Sequence, residues 1–197
     1  MLVFLRAGLV LLATPKTGST ALHMALTRHA DIVTRGLPAA KHLSHARYRR
    51  LAAPLVEALA PGPVEVCALV RDPVDWLGSW YRYRRAPALD GTANSTAGMD
   101  FDGFATAWAS DAPPSCARVG NQAAFLTLPD GRGVDILWRY EAMDGFTRWL
   151  SDRIGTAVTL PRANVSATGP TALTPALHTR LEHAFAPDRA LWTAARH

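Results

Sequence analysis

The sequence has little cysteine, no long apolar run and no metal-ligand pattern. Its 197 residues include two cysteines, Cys67 and Cys116, which is too few for a disulfide framework. Cys67 lies in an apolar run, residues 64–70, where it reads as a small buried hydrophobe. His, Cys and carboxylates nowhere fall at metal-ligand spacing, so no metal is expected. The apolar stretch at residues 1–13 is interrupted by Arg6 and Gly8 and ended by Pro15 and Lys16. That is short of the roughly 20 residues a spanning helix takes. Its charge lies inside the run, not before it as in a signal peptide. Two short strands, residues 2–5 and 9–13, account for it better. These features predict a cytoplasmic protein with no membrane partner, in which the glycosylation sequons at Asn94 and Asn164 are chance matches.

What is present is ordinary for a globular chain: 49% hydrophobic and 19% charged residues. The length suits one domain over residues 1–197, large enough to bury a core. Arginine and lysine outnumber carboxylates 21 to 16, for a net charge of +5, with basic clusters at residues 47–50 and 82–85. No recognition helix, zinc pattern or aromatic RNA-binding signature accompanies them. A small polyanionic ligand is therefore expected in preference to a nucleic acid.

Apolar runs at residues 9–13, 64–70 and 134–138 predict strands buried on both faces, and residues 31–34 a shorter one. Helical spacing is read at residues 19–28, 44–60, 73–85, 101–110, 121–128, 143–154 and 175–185. In the second of these, Leu51, Leu55, Val56 and Leu59 are expected to face the core. Residues 86–98, rich in breakers, read as a surface loop. Strands alternating with helices predict an α/β three-layer sandwich around a mainly parallel central sheet. Ligands of such sheets gather beyond the carboxyl ends of the strands, where the segments after Ala13 and Val70 both fall.

The first of these segments, residues 15–20, runs Pro15, Lys16, Thr17, Gly18, Ser19, Thr20 between a strand and a helix. Outward-pointing amides at a helix N-terminus, together with its dipole, favour an anion. Gly18 allows close backbone approach and Lys16 adds a mobile cation. Lysine precedes the glycine and Ala13 stands where a first Walker glycine would fall, so this is not a Walker A loop. The competing reading is a plain turn with a surface lysine.

The second segment, residues 71–81, places Arg71 at the end of a strand and Ser79 eight positions on, two turns into a helix opened by Pro73. Guanidinium and hydroxyl so placed suit a second phosphate. Arg71 pairing with Asp72 or Asp75, and Ser79 as an ordinary helix hydroxyl, are the alternatives.

Together the two segments resemble the sulfotransferases that use 3′-phosphoadenosine 5′-phosphosulfate (PAPS). That family carries a P-K-[TS]-G-[ST]-[ST] type loop, matched by residues 15–20, and an R-[DE]-P-x-x-[RW]-x-x-S-x-[YF] type segment, matched by residues 71–81. Softer likenesses follow at Arg139, Tyr140 and Glu141, at Asn164 to Ser166, and at Phe185 to Asp188. The resemblance implies a P-loop-like fold and PAPS as the sulfuryl donor. It implies that Pro15, Lys16, Thr17, Gly18, Ser19 and Thr20 hold the 5′-phosphosulfate and that Arg71 and Ser79 hold the 3′-phosphate. It further implies that Lys16 stabilises charge on the bridging oxygen.

Related enzymes use a His or Glu as the general base. His23, His29, His42, His45, Glu57, Glu65 and Glu141 are the candidates. His42 is preferred, because it lies in a loop region on the side where the phosphate loop should open, beside Lys41. An imidazole also suits proton removal at neutral pH. The alternative is a solvated loop histidine. Trp80, Tyr81, Tyr83 and Trp138 can stack on adenine or a sugar, or belong to the core. The polar run at residues 118–122 can touch a ligand or form a surface loop. The acceptor is expected to be a small molecule or carbohydrate bearing a hydroxyl or amine. Two other readings remain open: a P-loop-type nucleotide kinase with Asp72 on magnesium, and a non-catalytic nucleotide-binding module.

Overall fold

The computed structural model describes residues 1–161 and 171–197. Five strands form one open sheet: β1 (Leu2–Phe4), β2 (Leu9–Leu11), β3 (Ile32–Val33), β4 (Glu65–Val70) and β5 (Ile136–Arg139), in the order β3-β1-β2-β4-β5. The helices are α1 (Ser19–Leu26), α2 (Pro38–Lys41), α3 (His45–Leu51), α4 (Ala53–Leu59), α5 (Pro73–Arg84), α6 (Phe101–Trp108), α7 (Gln122–Leu126), α8 (Met143–Ile154) and α9 (Pro175–Ala194). None of the described helices is long and apolar enough to cross a membrane.

The sheet is mixed, which corrects the expectation of a mainly parallel one. β2 pairs in parallel with β4, and β4 with β5, but β1 is antiparallel to both β2 and β3. The cause lies in chain length. Residues 5–8 alone join β1 to β2, and a parallel crossover takes a dozen residues or more. The hairpin therefore reverses one strand within an otherwise co-directional sheet.

Strand alternation sends successive side chains to opposite faces, and a different set of helices covers each. Leu9, Leu11, Cys67 and Leu69 pack with Leu22 and Leu26 of α1 and Phe146 and Leu150 of α8. Val10, Leu12, Val66 and Ala68 pack with Tyr48, Ala53, Val56 and Leu126 on the other face. A third cluster joins α5, α6 and α9 through Trp76, Leu77, Tyr81, Phe104, Leu181 and Phe185. Cys67 is buried in the first of these clusters, as expected, and burial pushes its thiol pKa up.

Two helices depart from expectation. Residues 44–60 form α3 and α4 with a break at Ala52, because Pro54 has no amide to continue the ladder. The break rephases the core face onto Tyr48, Ala53 and Val56. Leu51, Leu55 and Leu59, expected inside, are each more than half exposed. α9 continues past residue 185 to Ala194 with Pro187 inside it, held by buried Leu181, Phe185 and Asp188. The stretch from Phe185 to Asp188 is thus helical. Residues 86–98 hold a single 3₁₀ turn, Pro87–Leu89, and expose Asn94. Residues 164–166 lie outside the described residues.

Candidate functional site

β2 and β4 are adjacent and parallel, so their carboxyl ends lie side by side. The loop after β2 and the arginine after β4 meet there. Arg71 Nη1 donates to the Lys16 carbonyl at 3.2 Å, and Trp76 Nε1 donates to the Pro15 carbonyl at 2.9 Å. The two segments singled out in the sequence therefore form one region, tied through backbone carbonyls of the loop.

Within the loop, Lys16 and Gly18 both adopt left-handed backbone, at φ of 66° and 74°. Lys16 is the one described non-glycine residue in this region of φ, a strained state that concentrates at functional sites. A Cβ on Gly18 would press on Tyr140 and Met143 at 3.3 Å, so glycine is favoured there by both backbone conformation and close packing. Gly18 is also the N-cap of α1, and no side chain caps that helix. The first amides of a helix have no partner within it, so this N-terminus keeps donors for an anion. The Thr14 hydroxyl adds to this: it is 1% exposed and its Oγ1 has no partner among the described residues.

Not every predicted loop hydroxyl is free. Thr17 is buried and gives its hydroxyl proton to the Thr14 carbonyl at 3.0 Å, bracing the turn. Thr20 accepts from Lys41 Nζ at 3.1 Å. Ser19 is buried at the start of α1. The Lys16 ammonium rests over the Tyr83 ring, 4.1 Å from its centre, and 5.3 Å from that of Trp80. Burial, followed by the nearby Arg71 and Arg82, pulls its pKa down to about 8.

Arg71 does pair with Asp75, one of the alternatives left open: Nε and Nη2 donate to Asp75 Oδ2 at 2.9 and 2.7 Å. Its guanidinium also lies 4.5 Å from the centre of the Tyr140 ring. The Gln122 side chain fixes the Arg71 backbone twice, accepting from its amide at 2.9 Å and donating to its carbonyl at 2.8 Å. Asp188, 2% exposed, in turn accepts from the amides of Gln122 and Ala123 at 3.0 and 2.7 Å. Burial raises the Asp188 pKa against those bonds. Neither Gln122 nor Asp188 had a role in the sequence reading beyond soft signals. Contacts between residues 51 and 66 positions apart leave no local trace. Ser79 is buried on α5.

Among the candidate bases, His42 is the one joined to the loop's root. Its Nδ1 lies 2.6 Å from the Ala13 carbonyl, which can only accept, so Nδ1 carries the proton and Nε2 keeps its lone pair. Burial, opposed by that bond and reinforced by Lys41, lowers its pKa. That shift favours the neutral imidazole. The others are committed elsewhere. His45 is buried and bonded to the Leu126 carbonyl, and His29 accepts from Arg28. Glu57 pairs with Arg49, and Glu65 pairs with Arg153 at the opposite end of β4. Both Glu141 oxygens are used, by the Asp72 amide and by Trp192 Nε1. His23 sits within α1, where burial pushes it down to about 4. Of the aromatics, Tyr81 and Trp138 pack against other rings in the core, while Trp80 and Tyr83 flank Lys16. Compared with family models, with curated proteins and with solved structures, the chain finds no match.

Proposed function

We propose that this chain is a PAPS-dependent sulfotransferase of P-loop-like fold, acting in the cytoplasm on a hydroxyl or amine of a small-molecule or carbohydrate acceptor. The observation that carries the reading is the junction of the two strand ends. An uncapped helix start and a clamped arginine lie beside each other, joined by the Arg71 contact to Lys16. A nucleotide with anionic groups on both its 5′ and 3′ sides suits such a pair of sites.

The residues fit that donor in stated ways. The first-turn amides of α1 and the Ser19 hydroxyl offer donors to the phosphosulfate. Arg71, with Ser79, faces the task of holding the 3′-phosphate by charge-assisted hydrogen bonds. PAPS supplies an activated sulfuryl group. An acceptor oxygen forms the new S–O bond while the bond from sulfur to the bridging oxygen breaks. Its electron pair stays on the phosphate, where the Lys16 ammonium stabilises it. His42 Nε2 takes the acceptor's proton. Positioning and charge stabilisation then carry most of the rate, by analogy with phosphoryl transfer.

The kinase reading asks Asp72 to hold magnesium. Its Oδ1 already accepts from the Val74 and Asp75 amides, and its Oδ2 from Arg189 at 2.6 Å. Thermal shift tests the choice. Adenosine 3′,5′-bisphosphate should stabilise the protein, and ATP with magnesium should do so less; stabilisation by ATP alone would overturn the reading. An acceptor screen with labelled donor then separates an enzyme from a binding module.

A further inference from the structure

Three charged side chains converge on one face of α5. Arg71 and Arg82 are each 14% exposed, while Asp75 between them is 46% exposed. Partners outside the trio hold the arginines. Arg71 has the Tyr140 ring, the Lys16 carbonyl and the Gln122 grip on its backbone. Arg82 Nη1 donates to Thr171 Oγ1 at 2.7 Å. Gly78 keeps that segment close, since a Cβ there would fall 2.7 Å from the Thr171 Cβ. Among the described residues the Asp75 carboxylate has no partner beyond the two arginines. Its Oδ2 takes both Arg71 bonds, and its Oδ1 reaches Arg82 only at 3.9 Å.

We infer that Arg71 and Arg82 form a phosphate-binding subsite and that Asp75 is its displaceable internal occupant. Two guanidinium groups held by other partners around a more exposed carboxylate is the arrangement expected when an internal anion stands in for a dianionic phosphate. The carboxylate offers one negative charge to two cations, and a phosphate monoester brings nearly two along with three acceptor oxygens. The exchange therefore favours the phosphate. The inference rests on reading Arg71 as a phosphate ligand and adds Arg82 to that site. Asp75 also keeps the arginines from repelling each other in the absence of ligand.

The test is calorimetric titration of the wild type, Asp75→Asn and Arg82→Gln with adenosine 3′,5′-bisphosphate, adenosine 5′-monophosphate and inorganic phosphate. Asp75→Asn should bind the bisphosphate about three- to tenfold more tightly and leave the monophosphate unchanged. Arg82→Gln should weaken the bisphosphate about tenfold and spare the monophosphate. Weaker or unchanged bisphosphate binding by Asp75→Asn would make Asp75 a positioning residue and overturn the inference, with the donor reading intact. If none of the three proteins binds the bisphosphate, the donor reading falls and inorganic phosphate decides the subsite. Tighter phosphate binding by Asp75→Asn keeps it, and equal or undetectable binding overturns it.

Discussion

The strand–turn–helix units after β2 and β4 face the same physical demand, the unpaired amides of a helix start, and meet it in opposite ways. At α5 the chain supplies its own anion. Asp72 caps the helix, accepting from Val74 and Asp75, and is itself held by Arg189. At α1 the N-cap is Gly18 in left-handed backbone, with no capping side chain and a buried Thr14 hydroxyl that lacks a partner among the described residues. Glycine is itself an accepted N-cap, only about a few tenths of a kcal/mol poorer than a capping side chain, so leaving α1 without one costs little stability. The contrast separates a scaffold from a site. α5 is capped by its own carboxylate and presents Arg71, whereas α1 starts with no side-chain cap.

Breaking the uncapped unit should have the largest effect. Lys16→Ala is expected to lower the single-turnover rate of sulfuryl transfer about 100- to 1000-fold, the usual loss for one transition-state charge stabiliser. His42→Ala should likewise abolish turnover while calorimetry still detects the bisphosphate. Near-normal turnover would exclude His42 as the base. Next comes the cation presented by the capped unit. Arg71→Ala should weaken the bisphosphate about 10- to 100-fold, since hydrogen bonds to charged groups contribute about 1.5–3 kcal/mol.

The pH profile sharpens the comparison further. In the proposed mechanism, transfer needs Lys16 charged and His42 neutral. A lysine held near 8 loses its proton above that pH, so kcat/KM should fall about tenfold per unit on the alkaline side. His42 is pushed below its usual value, so the acid limb should lie under the ordinary histidine range. Lys16→Arg, which keeps its charge, should remove the alkaline fall from whatever activity remains. The smallest effect belongs to the cap. Asp72→Ala should lower urea-unfolding stability by about 1–2 kcal/mol yet change adenosine 5′-monophosphate affinity by no more than about twofold.

The sequence made legible what depends on local pattern. The apolar runs located four of the strands closely, and the helix over residues 143–154 matches α8 to the residue, with Phe146 and Leu150 inward. Lys16, Gly18 and Arg71 were visible because each sits directly after a buried strand. Tertiary partners were not legible. Asp75 is one of two alternatives in the sequence, and only the fold sets its carboxylate between two guanidinium groups, while the 51-residue separation of Gln122 from Arg71 leaves no periodic signal. The sheet's mixed character had a local cause that was present all along, the short connection at residues 5–8. Alternation of strands and helices outweighed it. Pro54 and Pro187 show the same residue acting in two ways, breaking one helix and surviving in another that packing holds.

The central claim is that two anion sites at adjacent strand ends serve one nucleotide. Calorimetry on the wild-type protein tests it directly with adenosine 3′,5′-bisphosphate, adenosine 5′-monophosphate and adenosine 3′-monophosphate. The bisphosphate should bind at least about tenfold more tightly than either monophosphate, and Arg71→Ala should bring its affinity down to that of the 5′-monophosphate. Equal affinity for all three, or a preference for ATP with magnesium over the bisphosphate, would contradict it.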